Sequence, residues 1–316
     1  MTMDHDSYLA LRESAAVMDL PGRGHLQATG EDRARLLHAM TTNHVEELVP
    51  GDCRYAFFLS SQGRILADVN IVCTEAALLL DTEPEAAEPI YQHLDRYIIA
   101  DDVTLANLTE RMSAIALEGP QSAAVLERMG IDAPASGHWT AWRTFAVAAL
   151  SVTGQRGFRF FVPRSERESV IEWINGAGAV KTGQAEWNTV RLENGVARFG
   201  EDFTEREIPH ETRLIDRAIS FSKGCYLGQE IVERVRSRGQ VNRQLMHLAI
   251  PGQTAPAAHT KLSLEGREVG EVTSAAYSPE AGLVFALGYV RAQTIASGVQ
   301  YSFEGGTATI AAPRPL

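Results

Sequence analysis

The chain is poor in cysteine. Three stand in 316 residues, at positions 53, 73 and 225, and no pair has Cys-x-x-Cys or metal-ligand spacing. That excludes a disulfide framework and a zinc or iron–sulfur nest built by the chain alone, and an odd count with no leader in view points to a reducing cytoplasm. Long apolar runs are missing too. Nothing approaches about eighteen consecutive apolar residues, so no membrane-spanning helix is expected. The segment Met1–Ser7 is acidic and lacks the basic and apolar regions of a secretory signal. Positive charge is in deficit. Against 40 Asp and Glu stand 29 Lys and Arg, a net charge of −11, and broad nucleic-acid binding needs the opposite. No Gly-x-Gly-x-x-Gly follows a strand run, so a dinucleotide-binding half is not expected. Low-complexity segments and clear short-period repeats are absent.

What is present is ordinary for a globular protein: 45% hydrophobic and 22% charged residues. At 316 residues the chain is long for one core and implies two or three domains. Residues 7–18 read as a helix, 19–24 as a turn and His25–Thr29 as a strand. Gly30-Glu31-Asp32 opens a helix through Met40. Tyr55–Ser60 and Ile65–Val72 read as strands joined by a short glycine-containing loop, a hairpin. Leu78–Leu80 and Ala114–Glu118 are further strands, Pro84–Ile99 a helix and 131–141 a loop. Phe145–Val152 and Gly157–Val162 are strands. Ser165 to Glu168 has the form of a capping box before a helix over Glu166–Asn175, and 184–195 reads as another helix. Such runs, without regular alternation, indicate an α+β fold. From Gln240 on no helix is expected. Leu245–Ile250, Lys261–Leu264, Glu268–Thr273, Val284–Val290, Gln300–Phe303 and Thr307–Ala311 read as the short strands of a small β-barrel. The expected domains are residues 1–240, an α+β region of two subdomains, and 241–316, a β-barrel.

Chemistry concentrates in Lys223-Gly224-Cys225-Tyr226-Leu227-Gly228-Gln229-Glu230-Ile231-Val232-Glu233-Arg234. A thiol follows a glycine, with a lysine two residues before it and a helix after it. Glu230 suits the start of that helix, Arg234, Arg236 and Arg238 suit its end, and Gly239 stops it. A lysine and a helix N-terminus both favour a thiolate. Cysteine in a globular chain is more often a small buried apolar residue, and Cys53 and Cys73, in apolar strand runs, read that way. Cys225 reads as functional, with Lys223 as its activating neighbour.

The pattern Lys-Gly-Cys-Tyr-x-Gly-Gln-Glu-x-x-x-Arg resembles the signature of the YgfZ family of folate-binding proteins, relatives of the aminomethyltransferase (T-protein) of the glycine cleavage system. The likeness runs on through Asp19-Leu20, Thr29-Gly30-Glu31-Asp32, Thr42-Asn43-His44-Val45, Arg191-Leu192-Glu193-Asn194-Gly195 and Leu283–Arg291, nearly the whole chain. It implies an aminomethyltransferase-like folate-binding region followed by a β-barrel, with tetrahydrofolate as the cofactor. Glu193 is implied as a pterin ligand, a role that suits a carboxylate because it accepts two hydrogen bonds from a planar N–H/NH2 edge. Read without the family, Glu193 is a surface ion-pair residue. Asp68 is implied both at the pterin and in the chemistry; by pattern alone it is a solvated strand residue. The transferases carry a pair of aspartates where this chain has Ala67-Asp68, and commonly an acid where it has Arg159. These departures count against one-carbon transfer and leave room for a pterin contact.

The resemblance thus implies a folate-binding accessory protein that supports iron–sulfur enzymes, and through them tRNA modification, with Cys225 in a thiol step. Its implied partners are those enzymes or their assembly factors, in the cytoplasm. The alternative is an aminomethyltransferase of the glycine cleavage type using tetrahydrofolate. A third reading makes Arg234, Arg236, Arg238 and Arg243 an RNA-binding patch. A solvated helix end is the plainer explanation, and the overall acidity counts against RNA. The same positive field suits the anionic tail of a polyglutamated folate, with Arg234 as a ligand. No metal site is expected.

Overall fold

A computed structural model describes residues 3–311; Met1 and Thr2 of the acidic leading segment lie outside the described residues, as does the side chain of Arg238. Helix α1 (His5–Glu13) opens the chain. Where the sequence suggests more helix and then a turn, strand β1 (Ala16–Leu20) follows instead. Pairing on both sides, antiparallel to one strand and parallel to another, overrides the local helical pattern, as tertiary context commonly does.

The first sheet comes from β2 (Gly24–Thr29), β3 (Cys53–Leu59), β4 (Ile65–Cys73), β5 (Leu78–Thr82) and β6 (Thr104–Asn107), with α2 (Arg33–Met40) after β2 and α3 (Ala87–Asp95) after β5. Its order is β3-β4-β5-β2-β6. The expected hairpin is present, with Phe57 opposite Asp68 and Tyr55 opposite Asn70. In β4 the side chains alternate: Ile65, Ala67, Val69 and Ile71 enter the core while Asp68 and Asn70 project from the other face.

The second sheet collects β1 with β7 (Met112–Glu118), β8 (Trp139–Trp142), β9 (Phe145–Ala148), β10 (Gly157–Pro163) and β11 (Val180–Thr182), in the order β11-β1-β7-β10-β9-β8, with α4 (Ser122–Arg128) and α5 (Arg167–Gly176) packed on it. Strand β8 falls partly in the expected loop 131–141. Long-range bonds hold it there: Trp139 N–H donates to Gly51 O at 2.8 Å and its indole Nε1 to Cys73 O at 2.7 Å. The expected capping box at Ser165 does not form. Residues 164–166 make a 3-10 turn, and α5 starts at Arg167 without a side-chain cap.

Helices α6 (Gln184–Glu193), α7 (Pro209–Thr212), α8 (Ile215–Ala218) and α9 (Gln229–Arg238) lead to a closed barrel. Its strands are β12 (Arg243–Pro251), β13 (Lys261–Leu264), β14 (Arg267–Ser278), β15 (Leu283–Arg291), β16 (Gln300–Phe303) and β17 (Gly306–Ile310). The expected α+β region followed by a β-barrel is what the chain adopts. Strand β15 reads as an almost unbroken apolar run because both its faces are buried. Val284, Ala286 and Val290 fill the barrel, while Phe285, Leu287 and Tyr289 pack outward around Leu192 of α6. Burying a leucine of this kind contributes about 2 kcal/mol, so α6 is fastened to the barrel by its own apolar face. Among the described residues no helix is long and apolar enough to cross a membrane.

Candidate functional site

A cavity of about 520 Å³ opens between the two sheets. Asp68 and Asn70 of β4 and Tyr55 of β3 form one wall; Arg159 of β10 and Asp19 of β1 face it from the other sheet; Trp187 and Arg191 of α6 and the segment 195–198 close the side. The residues come from the chain's whole first two thirds, brought together because β1, β7 and β10 of the second sheet bracket the excursion that builds the first.

Its floor is a buried charge network. Asp81 lies in register with Asn70 on one side and His25 on the other. It accepts two bonds from Arg23, at 3.0 and 2.9 Å, one from Asn70 Nδ2 at 3.1 Å, and one from Arg159. Burial alone would raise the Asp81 carboxyl, but Arg159 and Arg23 outweigh it and hold the group well below the usual carboxylate range. Burial pulls His25 down to about 4, so this imidazole is neutral. Glu83 is saturated: Arg23 holds one oxygen and Arg198 the other, at 2.9 and 3.1 Å.

Asp68 differs from its neighbours. Its Oδ2 accepts from the Tyr55 hydroxyl at 3.0 Å, and its Oδ1 has no partner among the described residues. Burial, with the negative charge of Glu83 nearby, raises it to about 6; Arg23 and the Tyr55 bond act the other way. A carboxyl in that range changes protonation near neutrality and is suited to move a proton. Asn70 Oδ1 is likewise buried without a partner. Two unanswered acceptors thus sit at i and i+2 of one strand, facing the cavity.

Two buried carboxylates hold the walls. Glu118 accepts from Ser151 Oγ at 2.8 Å, from the N–H groups of Val152 and Thr153 at 2.6 and 3.1 Å, and from Thr153 Oγ1, which fixes the segment whose Ser151 and Val152 line the cavity. Asp202 accepts from Arg191 at 2.7 Å, from Arg198 N–H at 3.0 Å, and from Thr273 Oγ1 at 2.7 Å and Ser274 Oγ. The last two stand side by side because β14 bulges between Val272 and Ser274.

The other residues singled out from sequence lie off the cavity. Glu193 is fully buried on α6, yet it turns toward α1: it accepts from the Tyr8 hydroxyl at 2.6 Å and lies 3.5 Å from the Arg12 guanidinium. It is neither a cavity residue nor a surface ion pair. Arg234 is exposed and donates to Glu230 at 2.8 Å, one helical turn back. Lys223 spends its hydrogen bonds within the fold. Its Nζ is buried and donates to three backbone carbonyls, those of His38, Thr41 at 2.5 Å and Asn43 at 3.1 Å, with the Tyr226 ring 4.8 Å away. Burial pulls the ammonium down to about 7, while the three carbonyls favour its charged form. Lys223 is a staple between the loop after α2 and the cysteine loop, and its hydrogen bonds are not spent on the thiol. Cys225 is exposed, and its thiol makes no hydrogen bond among the described residues. Cys53 and Cys73 are buried as expected, and burial pushes the Cys53 thiol up to about 12.

The glycine ahead of α9 has a structural task. Gly228 has φ +84°, and a Cβ there would lie 2.6 Å from the Ser60 carbonyl oxygen. The cysteine motif therefore docks edge-on against the β3–β4 turn, and only glycine fits at that contact.

Two family models match, the GCVT N-terminal domain over residues 2–223 and the glycine cleavage T-protein C-terminal barrel domain over 243–313. The chain is 27% identical over 311 residues to the aminomethyltransferase of Streptomyces avermitilis, covering 93% of this chain and 83% of that one. It is 24% identical over 307 residues to a chloroplastic protein of Arabidopsis thaliana named as a transferase, covering 93% and 69%. The crystal structure of the glycine cleavage system aminomethyltransferase T from Bartonella henselae superimposes with a TM-score of 0.88 at 21% identity, covering 97% of this chain and 88% of that one, which is the same fold.

Proposed function

Because the chain belongs to the glycine cleavage T-protein family, we propose that it binds tetrahydrofolate in the cavity between its sheets and supports iron–sulfur enzymes, with Cys225 as a functional thiol. The observation that carries the folate reading is the pair of unanswered acceptors, Asp68 Oδ1 and Asn70 Oδ1, in a cavity of about 520 Å³, within the ~300–1,000 Å³ of small-molecule sites. A reduced pterin offers a flat N–H/NH2 edge to such acceptors. Tyr55, with Arg217 over its ring at 4.3 Å, and Trp187 provide the aromatic walls, and Arg198 and Arg217 a positive side for the glutamate tail. When bound, tetrahydrofolate supplies nitrogens that carry a one-carbon unit; the chain's own contribution is Asp68, which holds or releases a proton close to neutral pH.

The thiol reading rests on the motif and on exposure. Cys225 faces solvent away from the cavity, where a partner protein can reach it, and all three cysteines are free, as suits a reducing cytoplasm. An aminomethyltransferase of the glycine cleavage type is the second reading, favoured by the relatives' names and by the proton-transfer range of Asp68. Three measurements separate them. Titration with tetrahydrofolate tests the cavity; a glycine cleavage assay with lipoylated carrier protein tests transfer; and iron–sulfur enzyme activities in cells lacking the protein, with and without Cys225→Ala, test the accessory role. Binding without transfer, together with lost iron–sulfur activity, is the expected pattern. Transfer at full rate by the Cys225→Ala protein would favour the second reading.

A further inference from the structure

A guanidinium at 2% exposure needs its N–H groups answered, and Arg159 has one that is not. Its NH1 donates to Asp81, while Nε has no partner among the described residues. The side chain lines the cavity. On β10 it sits in register between Ala116 and Ala148, two residues too small to cover it. A buried charged donor left unmatched is costlier than a neutral one, so its acceptor is to be sought in whatever the cavity binds. On the facing sheet stand two unanswered acceptors, Asp68 Oδ1 and Asn70 Oδ1, and Asn70 donates through Nδ2 to the same Asp81 oxygen as Arg159. One sheet therefore offers two acceptors, and the other offers the charged donor together with Asp19 Oδ1 and the Thr182 hydroxyl, which also lack partners among the described residues.

We propose that Arg159 sets ligand specificity by donating from Nε to the 4-oxo oxygen of a pterin whose N3–H and 2-amino groups face Asp68 and Asn70. The proposal rests on the folate reading above. The pyrimidine edge of a pterin presents acceptor, donor, donor in a row, and the cavity presents donor, acceptor, acceptor. Asp81 fixes the guanidinium from behind and is itself fixed by Arg23, so the Nε–H direction is set before the ligand arrives. A 4-amino pterin replaces the 4-oxo acceptor by a donor and, having no proton on N3, turns the N3–H donor into an acceptor. It would leave Nε unanswered and press an N–H group against a cation, the kind of mismatch that a site built around hydrogen bonds rejects strongly.

The test compares tetrahydrofolate with its 4-amino counterpart by anaerobic calorimetry on the full chain at neutral pH. The parent is expected to bind the 4-oxo ligand at least about tenfold more tightly. Arg159→Lys keeps a cation beside Asp81 but has no Nε–H; it should weaken tetrahydrofolate binding by roughly ten- to a hundredfold and bring the two affinities together. A parent that binds both ligands within about twofold overturns the role of Arg159 and leaves folate binding intact. A folded Arg159→Lys protein that keeps the parental preference also overturns it. If the parent binds neither ligand, the folate reading fails and this one with it. Should Arg159→Lys not fold, the comparison on the parent alone decides.

Discussion

Replacing Asp68 by asparagine should make the protein more stable and a poorer folate binder. In the unfolded chain an aspartate loses its proton near 3.8, whereas in the fold Asp68 keeps it until about 6. Between those values the folded protein holds more protons than the unfolded one, so stability falls as pH rises from about 4 to about 6 and is then level. The span corresponds to about 3 kcal/mol at most, and solvent in the open cavity reduces it to roughly 1–3 kcal/mol. Asparagine does not ionise, and its carbonyl oxygen still accepts from Tyr55, so the variant avoids this loss. Urea denaturation of the ligand-free proteins at acid, intermediate and alkaline pH reads the effect. The expected result is a variant more stable than the parent by about 1–3 kcal/mol above pH ~7, with the difference vanishing near pH ~4. At the same time tetrahydrofolate affinity should fall by about tenfold or more, since a charged acceptor has become a neutral one. A variant that is no more stable at alkaline pH would show that Arg23 already compensates the Asp68 charge, and the account of this carboxyl as a costly functional group would be wrong.

Lys223→Met should lower stability by about 2–4 kcal/mol in chemical denaturation, because it strands three buried carbonyls; a loss below about 0.5 kcal/mol would return Lys223 to the thiol. Cys225→Ala should change stability by no more than about 1 kcal/mol and leave folate affinity alone while iron–sulfur enzyme support drops in complementation; slow labelling of the native thiol with full complementation would refute this. Glu193→Ala leaves the Tyr8 hydroxyl without its carboxylate and should lower stability by about 1–3 kcal/mol with tetrahydrofolate affinity unchanged; a tenfold affinity loss by calorimetry would restore Glu193 as a ligand.

Much of the fold was legible because burial leaves a period in the sequence. The barrel strands stood out, since each is short, rich in β-branched or aromatic residues and bounded by turns. Strand β1 was not, because Ala16–Leu20 carries no alternation: it is covered from both sides by pairing that only the finished sheet provides. The site was half legible. Asp68 is singled out by the family likeness, and it lines the cavity. Glu118, Asp81 and Asp202 left no signal, because a buried carboxylate and an exposed one look alike in a sequence when several of the partners lie 33 to 78 residues away. The partners of Lys223 were hidden for the opposite reason. Its nearness to Cys225 along the chain suggested a pair, but successive residues of a loop commonly face different ways, and the longer side chain found carbonyls to satisfy.

The hydroxyls of Thr273 and Ser274 bear on how such a chain can be recombined. They belong to the barrel, yet their partner Asp202 holds the wall of a cavity formed wholly by the preceding region. A chimera that joined these first residues to a foreign barrel without the β14 bulge would bury Asp202 with two of its donors gone. The graft would keep every side chain that lines the cavity and still lose the cavity's shape. Exchange between relatives at the apparent seam near residue 240 is therefore expected to succeed only when the donor barrel brings the same paired hydroxyls with it.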